Sequence, residues 1–375
     1  VGDQGGHSLR ILIWLPGGFW PAIGGIESFT ATLALDLKAK GHHVFVFAFE
    51  ANSDYLPYEQ CDGIELYRFS SVSVASAREQ LLICKKIHSL LKTISPHVLH
   101  LQYTASTNLI YYFLLSKHVT MPMMMTTHGL LCTENASFYK QLVDKASRVV
   151  CVSHYLSHES LVIAPAIKKT SCIHNAIPLN NECFTPPIFN PPKFLCLGRL
   201  TFEKGYDLAL QAFEKLIKDY PNSELIIAGD GVERTNLIEL AAKLGLSSHV
   251  RFTGSLNKEQ CIEVLKEASI VLIPSHYESF GLVALEAGLF GRPVIASQVG
   301  GLPEIINVRT GLLIDANCSE ALYQSMRYLC ADPERAVQMG KAAYQHIREK
   351  FLSNKMTSSY EALYDILLAN EFSVF

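Results

Sequence analysis

Residues 274–304 read PSHYESFGLVALEAGLFGRPVIASQVGGLPE. This stretch decides the fold because it sets two carboxylates around the start of a short helix. Glu278 precedes that helix and Glu286 rides on it. Ser279, Phe280, Gly281 and Leu282 open it, where backbone N–H groups without an intrahelical partner and the positive end of the dipole make an anion site. At about 1.5 Å of rise per residue, Phe280 to Glu286 spans roughly 9 Å, so a long ligand with a central diphosphate meets a carboxylate near each end. A nucleotide-sugar has that layout. The spacing alone does not establish it, because a Glu pair at this interval arises by chance about once in a chain this long, as two solvated helix charges.

Further segments deliver polar residues at the ends of apolar strands. Residues 11–50, ILIWLPGGFWPAIGGIESFTATLALDLKAKGHHVFVFAFE, read as strand, Gly-rich turn, amphipathic helix and a second strand over 44–49. Gly24 and Gly25 stand where the loop meets the helix; they let backbone approach a ligand closely, or simply make a tight turn. Gly41 ends the helix as a C-cap does. In MMMTTHGL, 123–130, a short strand brings His128 to its carboxyl end, the edge at which open α/β sheets bind ligands. A lone histidine among fourteen is more often structural. FLCLGRLTFEKGYDLAL, 194–210, ends a strand in Gly198 and Arg199 and places Lys204 before a helix starting near Asp207. A planar fork of donors beside a compact point charge suits a diphosphate, although loop Arg and Lys are commonly plain surface charges. LIIAGDGVERTNLIEL, 225–240, and VRFTGSL, 250–256, add two strands that end in glycines.

Five matches in this order, spread over nearly the whole chain, resemble the large retaining glycosyltransferase family that includes sucrose synthases and bacterial mannosyl- and glucosyltransferases. The resemblance implies an α/β protein of GT-B architecture, with two Rossmann-like doubly wound parallel-sheet domains facing a cleft. It implies that the loop at Gly24 and Gly25 closes over donor phosphates, that His128 lies beside the transferred sugar, and that Gly198, Arg199 and Lys204 grip the diphosphate. The backbone of Arg251, Phe252, Thr253 and Gly254 would hold the nucleobase. Glu278 would reach the sugar, Ser279 to Leu282 the phosphate, and Glu286 the ribose hydroxyls, with 300–304 lining the sugar and phosphate side. His128, Glu278, Arg199 and Lys204 are thus the expected catalytic groups. The segment IHNAIPL, 173–179, which follows VVCVSHYL at 149–156, departs from the family's Asn-Gly-aliphatic-Asp: Asn175 is kept, but Ala176 and Pro178 stand in place of Gly and Asp.

Composition fits that expectation and narrows the rivals. At 375 residues the chain is long enough for two cores, and with 49% apolar and 18% charged residues it is globular. A net charge of −3 argues against a nucleic-acid partner, and 14 basic against 13 acidic side chains over residues 1–187 make the first half as a whole no polybasic membrane patch. A local basic face at Lys85, Lys86, His88 and Lys92 leaves peripheral membrane contact open. The ten cysteines include no Cys-x-x-Cys and read as small core residues of a reducing, cytoplasmic compartment. The Gly-rich polar start, 1–8, resembles an appended leader more than a signal peptide. No Asp-x-Asp occurs, so neither a metal nor another cofactor is expected.

The Pro-rich run FTPPIFNPPK, 184–193, reads as a linker. It divides an acceptor-side domain, 1–186 plus a returning terminal helix over 356–375, from a nucleotide-sugar domain, 187–355. The expected activity is α-linked transfer of a hexose-type sugar from a UDP- or GDP-sugar to a glycan, lipid-linked or other hydroxyl acceptor. A phosphorylase of the same architecture, a nucleotide-sugar epimerase and a non-catalytic binding subunit are the alternatives.

Overall fold

The computed structural model describes residues 8–19, 24–50, 55–104, 106–129, 136–165, 167, 170–179 and 184–372. Two compact units emerge: Val1–Asn175 with Ser353–Phe375, and Ala176–Leu352.

The first unit is built on eight strands: β1 Arg10–Leu15, β2 His43–Glu50, β3 Tyr58–Cys61, β4 Ile64–Ser70, β5 Val98–Tyr103, β6 Met123–Thr127, β7 Arg148–Cys151 and β8 Thr170–Cys172. Their order is β3-β4-β2-β1-β5-β6-β7-β8, parallel throughout except for the antiparallel β3–β4 edge pair. Ile11 to Leu15 are all buried, the continuous apolar run of a strand covered on both faces. The helix Gly25–Ala39 follows β1 and ends at Gly41, whose φ of +95° satisfies the left-handed step after a helix.

The terminal helix Ser353–Phe372 packs within this same unit through polar contacts as well as apolar ones. The buried His100 ring bonds the Tyr364 hydroxyl through Nδ1 and the Thr126 hydroxyl through Nε2, both at 2.7 Å, and Thr126 also meets the Tyr360 hydroxyl at 3.2 Å. Burial draws the His100 pKa down to about 3, which keeps the ring neutral. Along the same helix the buried Thr357 donates to Asp36, and Glu361 takes both His42 and Lys40.

The second unit holds β9 Lys193–Leu197, β10 Glu224–Ala228, β11 Val250–Gly254, β12 Ile270–Ile273, β13 Val294–Ser297 and β14 Gly311–Ile314. All run parallel in the order β11-β10-β9-β12-β13-β14. Its core centres on Phe194, Cys196, Phe213, Leu225, Ile227, Leu272 and Ile295.

The Pro-rich run expected to link the units belongs to the second. Chain contacts divide at 175/176 and 352/353, not at 186/187 and 355/356. The Ile177 N–H donates to the Phe351 carbonyl, and Ile177 forms a bridge with Leu352, which ties the segment after Asn175 to the end of the same unit. Further on, the guanidinium of Arg292, only 2% exposed, donates to the Thr185 carbonyl and hydroxyl and to the Ala268 carbonyl. The Ser269 hydroxyl caps the Ile188 carbonyl. Prolines forbid regular structure here, and the carbonyls they leave unpaired are taken up by side chains of the sheet layer. Burial draws the Arg292 pKa down to about 10, so the cation persists at neutral pH. Arg292→Ala strands three acceptors and opens a cavity; urea unfolding should show a loss of about 3 kcal/mol in the second unit's transition, and a loss below about 1 kcal/mol would mean that the strap is not fastened there.

Candidate functional site

In the second unit the strand order reverses between β9 and β12, and ligands in open α/β sheets sit outside the carboxyl ends at such a reversal. The loop leaving β9 carries Gly198, Arg199 and the turn Phe202–Lys204; the loop leaving β12 carries His276, Tyr277 and Glu278. Topology therefore brings together two segments more than seventy residues apart. They are laced by backbone: His276 and Tyr277 N–H both donate to the Glu203 carbonyl, at 2.9 and 3.4 Å. Gly205, at φ +62°, lets them approach, since a Cβ there would fall 2.2 Å from the Pro274 carbonyl oxygen.

Lys204 Nζ lies 2.6 Å from a Glu278 carboxylate oxygen, with side chains 24% and 15% exposed. The two residues read separately in the sequence, one for phosphate and one for sugar, form an ion pair. Arg199 is exposed, and its side chain makes no hydrogen bond or ion pair among the described residues. The Glu278 backbone is held from the far side: Gly301 N–H donates to its carbonyl at 3.1 Å, and Gly300, at φ +54°, passes so close that a Cβ would sit 1.6 Å from the same oxygen. This accounts for the paired glycines at 300 and 301, the start of the segment expected to line the site.

The short helix is Leu282–Leu289, with Gly281 as N-cap at φ +111° and no side chain capping it. Ser279 and Phe280 thus precede the helix, where the sequence had placed them within its opening. The Phe280 ring is buried, edge-on to Phe351 at 6.1 Å, so that only its backbone can meet a ligand. Inside the helix Glu286 is half-buried and its carboxylate has neither hydrogen bond nor ion pair among the described residues. Burial pushes its pKa up to about 7. An uncompensated carboxylate of this kind is costly, and hydrogen-bond donors from a ligand would relieve it.

Arg251 stands apart. Its guanidinium binds Glu224 and Glu267, each at 2.7 Å, and Lys193 shares both carboxylates. Lys193 and Glu224 begin β9 and β10, so this four-charge cluster lies at the amino ends of the strands, away from the ligand edge. The Arg251 side chain is therefore a fastening between strands. Phe252, Thr253 and Gly254 finish β11 at the carboxyl end, where the Thr253 hydroxyl and the Gly229 N–H both bond the Gly254 carbonyl.

One group was overlooked. His276 stacks on Phe202, ring centroids 4.6 Å apart, bonds Asn317 through Nδ1 and approaches Asp207 to 3.9 Å. Its place two residues before Glu278 in the stretch quoted first was the available signal.

In the first unit Gly24 is the N-cap of its helix, Gly25 the first helical residue, and a side chain at Gly24 would meet the Glu27 carboxylate at 2.1 Å. The remainder of the Gly-rich turn, 20–23, lies outside the described residues, and the role expected of it goes with them. His128 follows β6 as expected, 6% exposed, with Nε2 2.7 Å from Gln102 Oε1 and its ring edge-on to Phe29 at 4.6 Å. Burial draws its pKa down to about 3, so the ring is neutral and cannot serve as a cation at pH 7.

Two family models match successive parts of the chain: Glycosyltransferase Family 4 over residues 23–181 and Glycosyl transferases group 1 over 185–346. A glycogen synthase of Mycobacterium tuberculosis is 30% identical over 253 residues, 63% of this chain and 61% of that protein. The chain thus spans about three-fifths of that relative's length. A D-inositol 3-phosphate glycosyltransferase of Segniliparus rotundus is 26% identical over 97% of this chain and 87% of its own. Among solved structures, the sucrose-phosphate synthase of Thermosynechococcus elongatus superposes with a TM-score of 0.84 over 97% of this chain and all of that one, at 22% identity. Alr3699/HepE of Anabaena, solved with UDP and glucose, gives 0.78 over 95% and 99% at 18% identity. Both halves of the chain thus match glycosyltransferase family models, the second of them group 1, and the fold is the GT-B architecture.

Proposed function

We propose that the chain is a retaining hexosyltransferase that takes its sugar from a nucleoside diphosphate donor without a metal ion. The observation that carries this is the switch-point constellation of the second unit: an exposed Arg199, a Lys204–Glu278 pair and, one helix away, the unpartnered Glu286. Arg199, Lys204 and the uncapped helix start at Gly281 supply positive charge for a diphosphate. Glu286 accepts the ribose hydroxyls, and Glu278 turns from its lysine to the sugar. His128, held neutral, offers a hydrogen bond and no proton. Support also comes from the relatives, a glycogen synthase and an inositol phosphate glycosyltransferase, and from the UDP and glucose in the Anabaena structure.

Transfer then proceeds on one face of the sugar. The bond from the anomeric carbon to the diphosphate oxygen breaks, the bond to the acceptor oxygen forms on the same side, and the departing diphosphate takes the acceptor's proton. Charge built up on that diphosphate is met by fixed cations and backbone dipoles. The acceptor is a glycan, lipid-linked or other hydroxyl. A lipid-linked acceptor and a cytoplasmic, membrane-peripheral location fit the helix Ala77–Ile94, where exposed Leu81 and Leu82 adjoin exposed Lys85 and Lys86. No helix among the described residues is long and apolar enough to cross a membrane.

The test is a thermal-shift and turnover screen with UDP, GDP and ADP and their hexose derivatives, each with and without EDTA. One nucleoside diphosphate at about a hundred times its dissociation constant should stabilise the protein by roughly 2.7 kcal/mol, and sugar transfer should survive chelation. Loss of transfer in EDTA with recovery in Mn²⁺ would overturn the metal-free account. Release of sugar phosphate with inorganic phosphate as acceptor would make the protein a phosphorylase instead.

A further inference from the structure

We infer that the first unit carries a binding site for a borderline-soft divalent cation of the zinc type, made by His154, Cys172 and His174. The ligand atoms of these three side chains all lie within 4.8 Å of one another. The juxtaposition is built by the sheet. β7 and β8 run parallel with Cys151 opposite Cys172, and the Ile173 N–H continues the pairing by donating to the Cys151 carbonyl at 3.1 Å. Alternation along this extended exit buries Ile173 and turns Cys172 and His174, two residues apart, to the opposite side. His154 arrives from the neighbouring strand as the first residue of the helix His154–Ile163, whose start is fixed by Ser153 accepting from the Leu156 N–H. The two imidazole rings stand nearly perpendicular, 83°, with centroids 5.4 Å apart.

The donor set selects the metal. One thiolate and two imidazoles suit zinc or cobalt and are poor ligands for calcium or magnesium, which take oxygens. With metal–ligand bonds of about 2.0–2.3 Å, a tetrahedral centre holds its donors roughly 3.5 Å apart, so side-chain rotation of little more than about 1 Å closes the set around an ion. None of the three residues is given a part in the metal-free transfer proposed above.

The experiment uses Co²⁺ as a spectroscopic stand-in for Zn²⁺ on the intact protein. One equivalent should give the intense visible absorption of a four-coordinate cobalt centre and a thiolate-to-metal charge-transfer band in the near ultraviolet, both displaced by stoichiometric Zn²⁺. Cys172→Ser should abolish the charge-transfer band, and His154→Gln, at an exposed position that leaves folding intact, should weaken Zn²⁺ at least about tenfold against a chromophoric chelator, in line with loss of one ligand. A pale octahedral spectrum, an unaltered charge-transfer band in Cys172→Ser, or unchanged affinity in His154→Gln would each show adventitious binding only and overturn the assignment. Circular dichroism of both variants shows whether a lost signal reflects the site or the fold.

Discussion

Lys204→Ala lowers turnover at least about 10²-fold, the scale seen when a preorganised charge-stabilising donor is removed, and does so more severely than Arg199→Ala. The difference follows from what each cation leaves behind. Arg199 is exposed and unpaired among the described residues, so its removal subtracts one charge from the diphosphate's surroundings. Lys204 also neutralises Glu278 at 2.6 Å. Without it, a carboxylate only 15% exposed faces an incoming diphosphate, and repulsion adds to lost attraction. A second substitution exposes this logic. Glu278→Gln in the Lys204→Ala background should recover part of the nucleotide affinity, whereas Glu278→Gln alone should slow transfer and leave binding of the free nucleoside diphosphate nearly intact. Protein stability should hardly move in Arg199→Ala, which removes an exposed side chain, and should fall by roughly 1–3 kcal/mol in Lys204→Ala, where a mostly buried Glu278 is left unpaired. Calorimetric titration with nucleoside diphosphate and steady-state rates on all four variants make the check. Near wild-type turnover in Lys204→Ala, or a further loss of affinity on adding Glu278→Gln, would remove the pair from the diphosphate site.

The sequence made the parallel sheets and the exits of β6, β9 and β12 legible because apolar runs ending in Gly, Arg or His are local patterns. The helix after β9 starts at Tyr206, next to the expected Asp207, and β10 and β11 end where their glycines stand. What stayed hidden was pairing over long separations. Nothing in FTPPIFNPPK announces that Arg292, a hundred residues on, takes its carbonyls, and prolines that break secondary structure look alike in a free linker and in a strap fixed by side chains. The Lys204–Glu278 pair and the Arg251 cluster were missed for the same reason: a charge in a loop shows its sign in the sequence but not its partner. His276 shows no role in the sequence because a histidine's work depends on its neighbours, here Phe202, Asn317 and Asp207, which lie in other segments. Cysteines read as scattered by their spacing prove to include one, Cys172, that shares a pocket of chemistry with two histidines.

Nucleotide affinity should depend on pH through Glu286, and in a direction opposite to stability. Burial places its pKa at about 7 in the free protein against 4.5 for the ordinary carboxyl. Ribose hydroxyls donate to the ionised form, so binding favours the carboxylate and releases a proton whenever the free group is protonated. Affinity is then level above about pH 7.5 and falls as pH drops through 7, by up to about tenfold per pH unit. The sign for folding is the reverse. Between 4.5 and 7 the folded protein holds a proton on Glu286 that the unfolded chain has lost, so this group's contribution declines as pH rises through that window and the full penalty stands above it. A carboxyl moved from 4.5 to about 7 carries roughly 3 kcal/mol at most. Glu286→Gln removes the penalty: at pH 8 the variant should unfold at higher urea than the parent, and at pH 4 the two should coincide. It should meanwhile weaken the nucleoside diphosphate about tenfold, since a hydrogen bond to a charged group contributes about 1.5–3 kcal/mol, and abolish the pH dependence of binding between 6 and 8. Urea titrations at the two pH values and calorimetry in buffers of differing ionisation enthalpy read both effects. A variant less stable at pH 8, or one that binds nucleotide as tightly as the parent with the same proton release, would show that Glu286 is a structural carboxyl and that the ribose is held elsewhere.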